Sequence, residues 1–146
     1  YDRHLIASEE GRDMFASRGP DIEQFMPRVR RNMASAKKRA KAQGVNYDIS
    51  EEWFRQRYEE IAGRCELTRI PFSADRPKHP PFAPSIDRLE SRLGYVEGNC
   101  RIVTYIANCA RNQFTDLEFR QMCRAATKNW ERLEASKDVC ALKRRT

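Results

Sequence analysis

Asp87, Asn99, Asn108 and Asn112 are the residues whose types and spacing point to chemistry. Asp87 lies in the run Pro84-Ser85-Ile86-Asp87-Arg88-Leu89-Glu90, and Asn99 opens Asn99-Cys100-Arg101-Ile102-Val103, with Gly94-Tyr95 and Gly98 between them. The two runs read as short apolar strands and the glycine-containing segment as the turn that joins them. From Thr104 the pattern becomes helical, which puts Asn108 and Asn112, four residues apart, on one face. A carboxylate on a strand and an amide on the following helix can hold one hard divalent cation, Mg2+ first and Mn2+ as its substitute. Such ions take oxygen ligands and keep waters that a phosphate displaces. An ion held there polarises a phosphodiester and steadies charge on the leaving oxygen. These ligands alone make a weak motif, because Asn99 is as readily a turn residue and Asn108 a helix-surface amide.

The elements that must position these residues are mostly helical. From Arg28 to Lys41 the chain carries seven basic residues (Arg28, Arg30, Arg31, Lys37, Lys38, Arg39 and Lys41) and no acidic one, interleaved with alanines and followed by Gly44. This predicts a helix of good intrinsic propensity with a glycine stop. Positive charges without a compensating acid repel one another, so a phosphate backbone laid along the helix is favoured over a merely solvated face. Upstream, Asp21 is placed to cap a short helix through Met26, and Pro27 to kink it or restart it as a first-turn residue. Ser50 reads as an N-cap with Glu51 and Glu52 in the first turn and Ile49 and Phe54 at staple positions. Trp53, Phe54, Tyr58 and Ile61 then form a core stripe ended by Gly63. Gly63 to Phe72 is hairpin-like, and Ser73 to Pro84 is a loop with four prolines that carries His79. A histidine in such a loop is more often a surface residue than a catalytic one. Thr115-Asp116-Leu117-Glu118 matches a capping box. Phe119, Met122, Cys123, Ala126, Trp130 and Leu133 follow at helical spacing to about Ala135 and are read as core.

At 146 residues the chain has the size of one domain with one core. The expected organisation is an arm over 1–26 that includes His4, a domain over 27–135, and a basic tail over 136–146 whose Lys143, Arg144 and Arg145 add an auxiliary phosphate contact. A net charge of +7, from 28 Lys and Arg against 21 Asp and Glu, favours a polyanionic partner. Five cysteines without a C-x-x-C pair, and no leader-like start, point to a reducing cytoplasm with thiols mostly buried. No apolar run reaches the length of a membrane span. The sequence begins at Tyr1 rather than Met, which leaves room for further domains and protein partners. Nothing in it indicates an oligomeric state.

Gly63-Arg64-Cys65-x-Leu67-Thr68-x-Ile70-Pro71-Phe72, then Pro84-Ser85-Ile86-Asp87-Arg88-Leu89, Gly94-Tyr95, Gly98-Asn99-Cys100-Arg101-Ile102-Val103 and a helix with Asn resembles the HNH, or His-Me finger, endonucleases of bacteriophages and bacteria. The likeness runs from about Ala34 to Thr127 and is carried by several separated motifs in order and register. It implies an α+β fold, mainly helical, around a small ββα-metal unit of two hairpin strands and one helix. Carried over by position, Asp87 matches the metal ligand on the first strand and Asn99 the middle Asn that braces the hairpin and orients the base. Asn108 matches the ligand on the helix, and Asn112 falls one turn further, where some members carry a second. Arg101 is placed to steady a phosphate.

Two departures qualify the likeness. After the Asp the family usually carries the His that deprotonates the attacking water, and this chain has Arg88. A guanidinium stays protonated, so Arg88 is suited to binding the scissile phosphate and not to acting as the base. The base would then be His79, or Glu90, or a metal-bound water with no dedicated side chain. Some members also hold a structural zinc with four Cys. Here Thr68 stands at the position of the partner of Cys65, and Thr104 and Ala107 stand at the places near the helix, so no structural zinc is expected. The resemblance thus implies a metal-dependent endonuclease acting on DNA, with double-stranded DNA the expected partner. The missing His motivates the alternative, a DNA-binding accessory or regulatory protein that keeps the fold and has lost hydrolysis. An RNA-directed or protein-interaction module is the third.

Overall fold

The computed structural model describes residues 18–75 and 78–135. The expected N-terminal arm with His4 and the basic tail with Cys140 lie outside the described residues, apart from residues 18–26. The architecture is α+β. In chain order the described residues form α1 (Met26–Gln43), α2 (Glu51–Glu60), β1 (Pro84–Arg88), β2 (Cys100–Thr104), α3 (Tyr105–Arg111) and α4 (Asp116–Ala135). None of these helices is long and apolar enough to cross a membrane.

The first two helices start and stop where local chemistry dictates. Asp21 accepts the Glu23 N–H and opens a short 3-10 turn, after which Pro27 occupies the first turn of α1. Gly44 closes α1 in the left-handed conformation, φ 65°, where its N–H reaches the carbonyls of Ala40 and Lys41. Met26, Val29, Met33, Ala36 and Ala40 make the buried stripe of α1. In α2 the Ser50 hydroxyl accepts the Trp53 N–H at 3.0 Å, and the staple residues Ile49 and Phe54 are both buried. This helix ends at Glu60, three residues before the expected Gly63, because Ala62 and Gly63 turn the chain through positive φ of 55° and 66°.

Tyr58 is the hub of the core. Its ring packs against Phe25, Phe54 and Phe72, and its hydroxyl donates to the Pro20 carbonyl at 2.7 Å. Burial pushes its phenol well above the usual range. Beneath these rings lies the sheet, in which β1 and β2 run antiparallel with Ser85 opposite Val103, Asp87 opposite Arg101 and Arg88 opposite Cys100. The expected hairpin at 63–72 is a tight turn with one bridge, Arg64 to Pro71. It is fastened to β2 by the Glu66 N–H on the Ile102 carbonyl and by the Thr104 N–H on the Cys65 sulfur at 3.3 Å. Thr104, whose position the resemblance gives to a zinc ligand, therefore does meet Cys65, as a hydrogen-bond donor.

The single core expected over 27–135 needs correction. The chain divides after Asn112 into two compact units, and α4 belongs to the second. Its Thr115 and Glu118 form the expected capping box, yet no residue of α4 is buried, and Met122 and Trp130 are 49% and 65% exposed. Helical spacing of apolar residues creates an apolar face but does not specify what covers it. Both the N–H and the hydroxyl of Thr115 donate to Glu118, and these bonds hold its carboxyl below the ordinary value. The cap is therefore fully present above the ordinary carboxylate pKa and is lost as pH falls through the lowered folded value. Acidification from about pH 5 to pH 3 is expected to fray the first turn of α4, seen as faster amide exchange at 116–119, and Thr115→Ala is expected to show that fraying already at pH 7.

The thiols also divide. Cys65 and Cys100 are buried, whereas Cys109 and Cys123 are exposed, against the expectation of mostly buried thiols. Burial pushes the Cys100 thiol up to about 12. That raised value stabilises the fold below the ordinary thiol pKa, and the contribution is lost as pH rises through it. Peptide mapping after iodoacetamide treatment at pH 8 is expected to find Cys109 and Cys123 alkylated in the native protein, with Cys65 and Cys100 alkylated only after denaturation.

Candidate functional site

The loop between β1 and β2 is ordered by Asn99. Its side-chain oxygen accepts the Glu90 N–H at 3.0 Å, and its amide donates to the carbonyls of Glu90 and Gly94, both at 2.8 Å. The Asn99 backbone carbonyl takes the Leu89 N–H at 2.8 Å. A buried amide with both ends satisfied locks its surroundings. Gly94 adopts φ 80°, and a Cβ there would stand 2.4 Å from the Asn46 carbonyl oxygen, so only glycine fits. The next residue, Tyr95, exchanges backbone hydrogen bonds with Asn46 and Asp48, which seats its ring beside α1.

Asp87 is placed at the bottom of this arrangement and is 2% exposed. The Nε of Arg101, its cross-strand neighbour, donates to Oδ2 at 2.9 Å, and Arg111 of α3 donates to Oδ1 at 2.9 Å. Arg111, itself 2% exposed, also donates to the carbonyls of Arg88, Leu89 and Asn112 at 3.2, 2.8 and 3.2 Å. The amide of Asn108 donates to the Ser85 hydroxyl at 2.8 Å and to the Ile86 carbonyl at 3.2 Å.

These contacts bear on several expectations. Both oxygens of Asp87 are engaged by guanidinium groups, so a divalent cation would reach the carboxylate only by displacing one of them. Among the described residues there is also no group of three or more His, Cys, Asp and Glu side chains placed to hold one. Asn112 terminates α3 at φ 50°, its N–H on the Asn108 carbonyl, and lines the same cleft as Asn108. Arg101, expected at a phosphate, is turned onto Asp87, where opposite charges on directly paired strand positions attract.

The two candidate bases are not brought to Asp87. His79 is exposed at φ 49°, its ring stacked on Tyr105 with centroids 6.4 Å apart. Glu90 pairs with Arg92 at 2.8 Å on the surface. Neither lines the cleft that opens over Asp87.

That cleft has a volume of about 410 Å³ and is walled by Arg39, Ile86, Asp87, Arg88, Ser91, Tyr95, Asn108, Cys109 and Asn112. A neighbouring hollow of about 250 Å³ shares Arg39, Ile86, Tyr95 and Asn108 with it and adds Asn32, Ser35, Ser85 and Tyr105. Two guanidinium groups stand over the single ring of Tyr95, Arg88 at 4.4 Å and Arg39 at 6.0 Å from its centre. Arg39 also donates to the Tyr95 hydroxyl at 3.3 Å, and Arg88 to Gln43 and to the Ser91 carbonyl. Arg28 lies 5.2 Å over the Tyr105 ring, with its Nε buried and lacking a hydrogen-bond partner.

The basic run of α1 is thus not one stripe. Arg28, Asn32, Ser35 and Arg39 recur at i, i+4, i+7 and i+11 and form the face toward the hairpin. Lys37, Lys38 and Lys41 border a shallow groove with Val45 and Tyr47, Arg30 pairs with Glu51 at 3.0 Å, and Arg31 is exposed. Sequence reasoning missed Tyr95, Tyr105 and Arg111. Adjacency to a glycine marked Tyr95 and adjacency to Asn112 marked Arg111, neither of which carries a role, and nothing marked Tyr105. Comparison of the chain with protein-family models, with curated proteins and with solved structures finds no match.

Proposed function

We propose that this domain binds duplex DNA by its phosphodiester backbone, as a His-Me-finger-type domain whose ββα unit is β1, β2 and α3, and that it binds without hydrolysis. One observation carries the reading. Arg39 and Arg88 converge over Tyr95 at the mouth of an open cleft, and neither has a carboxylate partner among the described contacts. Guanidinium groups are weakly hydrated and stack on aromatic faces, so such a pair presents its remaining N–H groups to an anion at little conformational cost. A phosphate is the anion that a planar fork recognises best. Arg31, Lys37, Lys38 and Lys41 on the other sides of α1 supply the non-specific charge that releases counterions along the backbone.

The second reading is the metal-dependent endonuclease, with Mg2+ or Mn2+ as cofactor. It is favoured by the order of Asp87, Asn99 and Asn108 and by the shared cleft of Asp87 and Asn108. It requires Arg101 and Arg111 to release Asp87, and a base from outside the cleft. Fluorescence anisotropy with duplex DNA, single-stranded DNA and RNA in EDTA, beside plasmid nicking with Mg2+ or Mn2+, separates the readings. Duplex binding that persists in EDTA, with intact plasmid in every metal, is the expected result. Nicking that Asp87→Ala and Asn108→Ala abolish would establish the endonuclease instead, and tighter binding of RNA or single strands would overturn the duplex assignment.

A further inference from the structure

We infer that Arg111 is a resident cation, its guanidinium taking the position beside Asp87 that a divalent ion would occupy, so that the centre is complete without metal. Its acceptors include one carboxylate oxygen and three backbone carbonyl oxygens, of Asp87, Arg88, Leu89 and Asn112. This is the oxygen donor class that a hard cation takes. Here the donors are arranged around a planar fork, with N–O distances of 2.8–3.2 Å, and both members of the pair are 2% exposed. Arg111 is the last residue of α3, where the helix dipole favours positive charge, and it ties that helix end to the end of β1. Arg101 donates to the second oxygen of Asp87, so a guanidinium stands on each of them. A divalent ion would have to displace one of these groups to reach the carboxylate. A lysine keeps the charge but has one nitrogen, so it cannot also reach the Leu89 carbonyl that the second terminal nitrogen of Arg111 takes.

The inference is independent of nucleic-acid binding, and its test uses none. Mn2+ binding is followed by electron paramagnetic resonance, and thermal unfolding is recorded with EDTA, MnCl2 or low-millimolar guanidinium, for the wild-type chain, Arg111→Ala, Arg111→Lys and Asp87→Ala/Arg111→Ala. The wild type is expected to show no saturable Mn2+ site and the same Tm in EDTA and Mn2+. Arg111→Ala is expected to unfold at least about 10 °C lower, since it leaves a buried carboxylate underpaired. Guanidinium or Mn2+ should recover part of that loss in Arg111→Ala and none in the double variant. If Arg111→Ala does not fold, a lowered Tm in Arg111→Lys with recovery by guanidinium gives the same support. A saturable Mn2+ site in the wild type that Asp87→Ala removes would overturn the inference, as would an unchanged Tm in both Arg111 variants.

Discussion

Replacing Asn99 with alanine is expected to destabilise the first unit by about 3 kcal/mol, a fall of roughly 10–20 °C in Tm. The side chain closes three hydrogen bonds in a position 4% exposed, and without it the Glu90 N–H and two carbonyls lose their partner where water does not replace it. Asn99→Asp is expected to be worse, because a carboxylate would face the carbonyls of Glu90 and Gly94 with no donor to offer. The damage should be directional. The loop carries Gly94 and Tyr95, so losing the brace also loosens the ring on which Arg39 and Arg88 stand. Chemical denaturation measures the first effect, and broadening of Tyr95 signals in the folded protein measures the second. An Asn99→Ala variant with wild-type stability would show that the amide contributes nothing to the loop. Gly94→Ala is expected to mimic the defect from the other side, by pushing on Asn46.

Removing the paired arginines is expected to have the largest effect on binding. Arg39→Ala and Arg88→Ala should each weaken duplex affinity about tenfold and lower the slope of log K against log salt by about 1, the signature of one lost phosphate contact. The double variant is expected to fall short of the product of the two, since both groups stand on the same ring. Tyr95→Phe keeps the ring and loses only the hydroxyl that Arg39 donates to, so its effect should be smaller than that of Arg39→Ala. Salt titrations of anisotropy provide the measurement. If the double variant binds like the wild type while neutralising Lys37, Lys38 and Lys41 abolishes binding, the interface lies on the opposite flank of α1 and the cleft is not the site.

Local chemistry made much of the fold legible. The Ser50 cap, the Ile49 and Phe54 staple, the Gly44 stop, the Pro27 first turn and the Thr115 capping box all depend on residues within a few positions of one another, and each is present where spacing placed it. The two strands and the helix after them were legible for the same reason, as changes of hydrophobic period between glycines. The resemblance gave Asn99 the role of bracing the hairpin and orienting a base, and its side chain bonds to Glu90 and Gly94.

What sequence spacing left undecided is what charges do once they are paired through space. By itself the sequence determined where the main helices begin, that one helix is densely basic and stops at Gly44, and that Asp87, Asn99 and Asn108 fall on neighbouring elements. Only the tertiary structure decided that Arg101 and Arg111 close both oxygens of Asp87, because those partners lie 14 and 24 residues away and meet it only when β2 and α3 fold against β1. It also divided the basic run into a face that stacks on Tyr95 and Tyr105 and faces turned away from them. Local capping and periodicity act over one or two turns of chain, whereas the partner of a buried charge is set by packing, and at this centre the chemistry follows the partner.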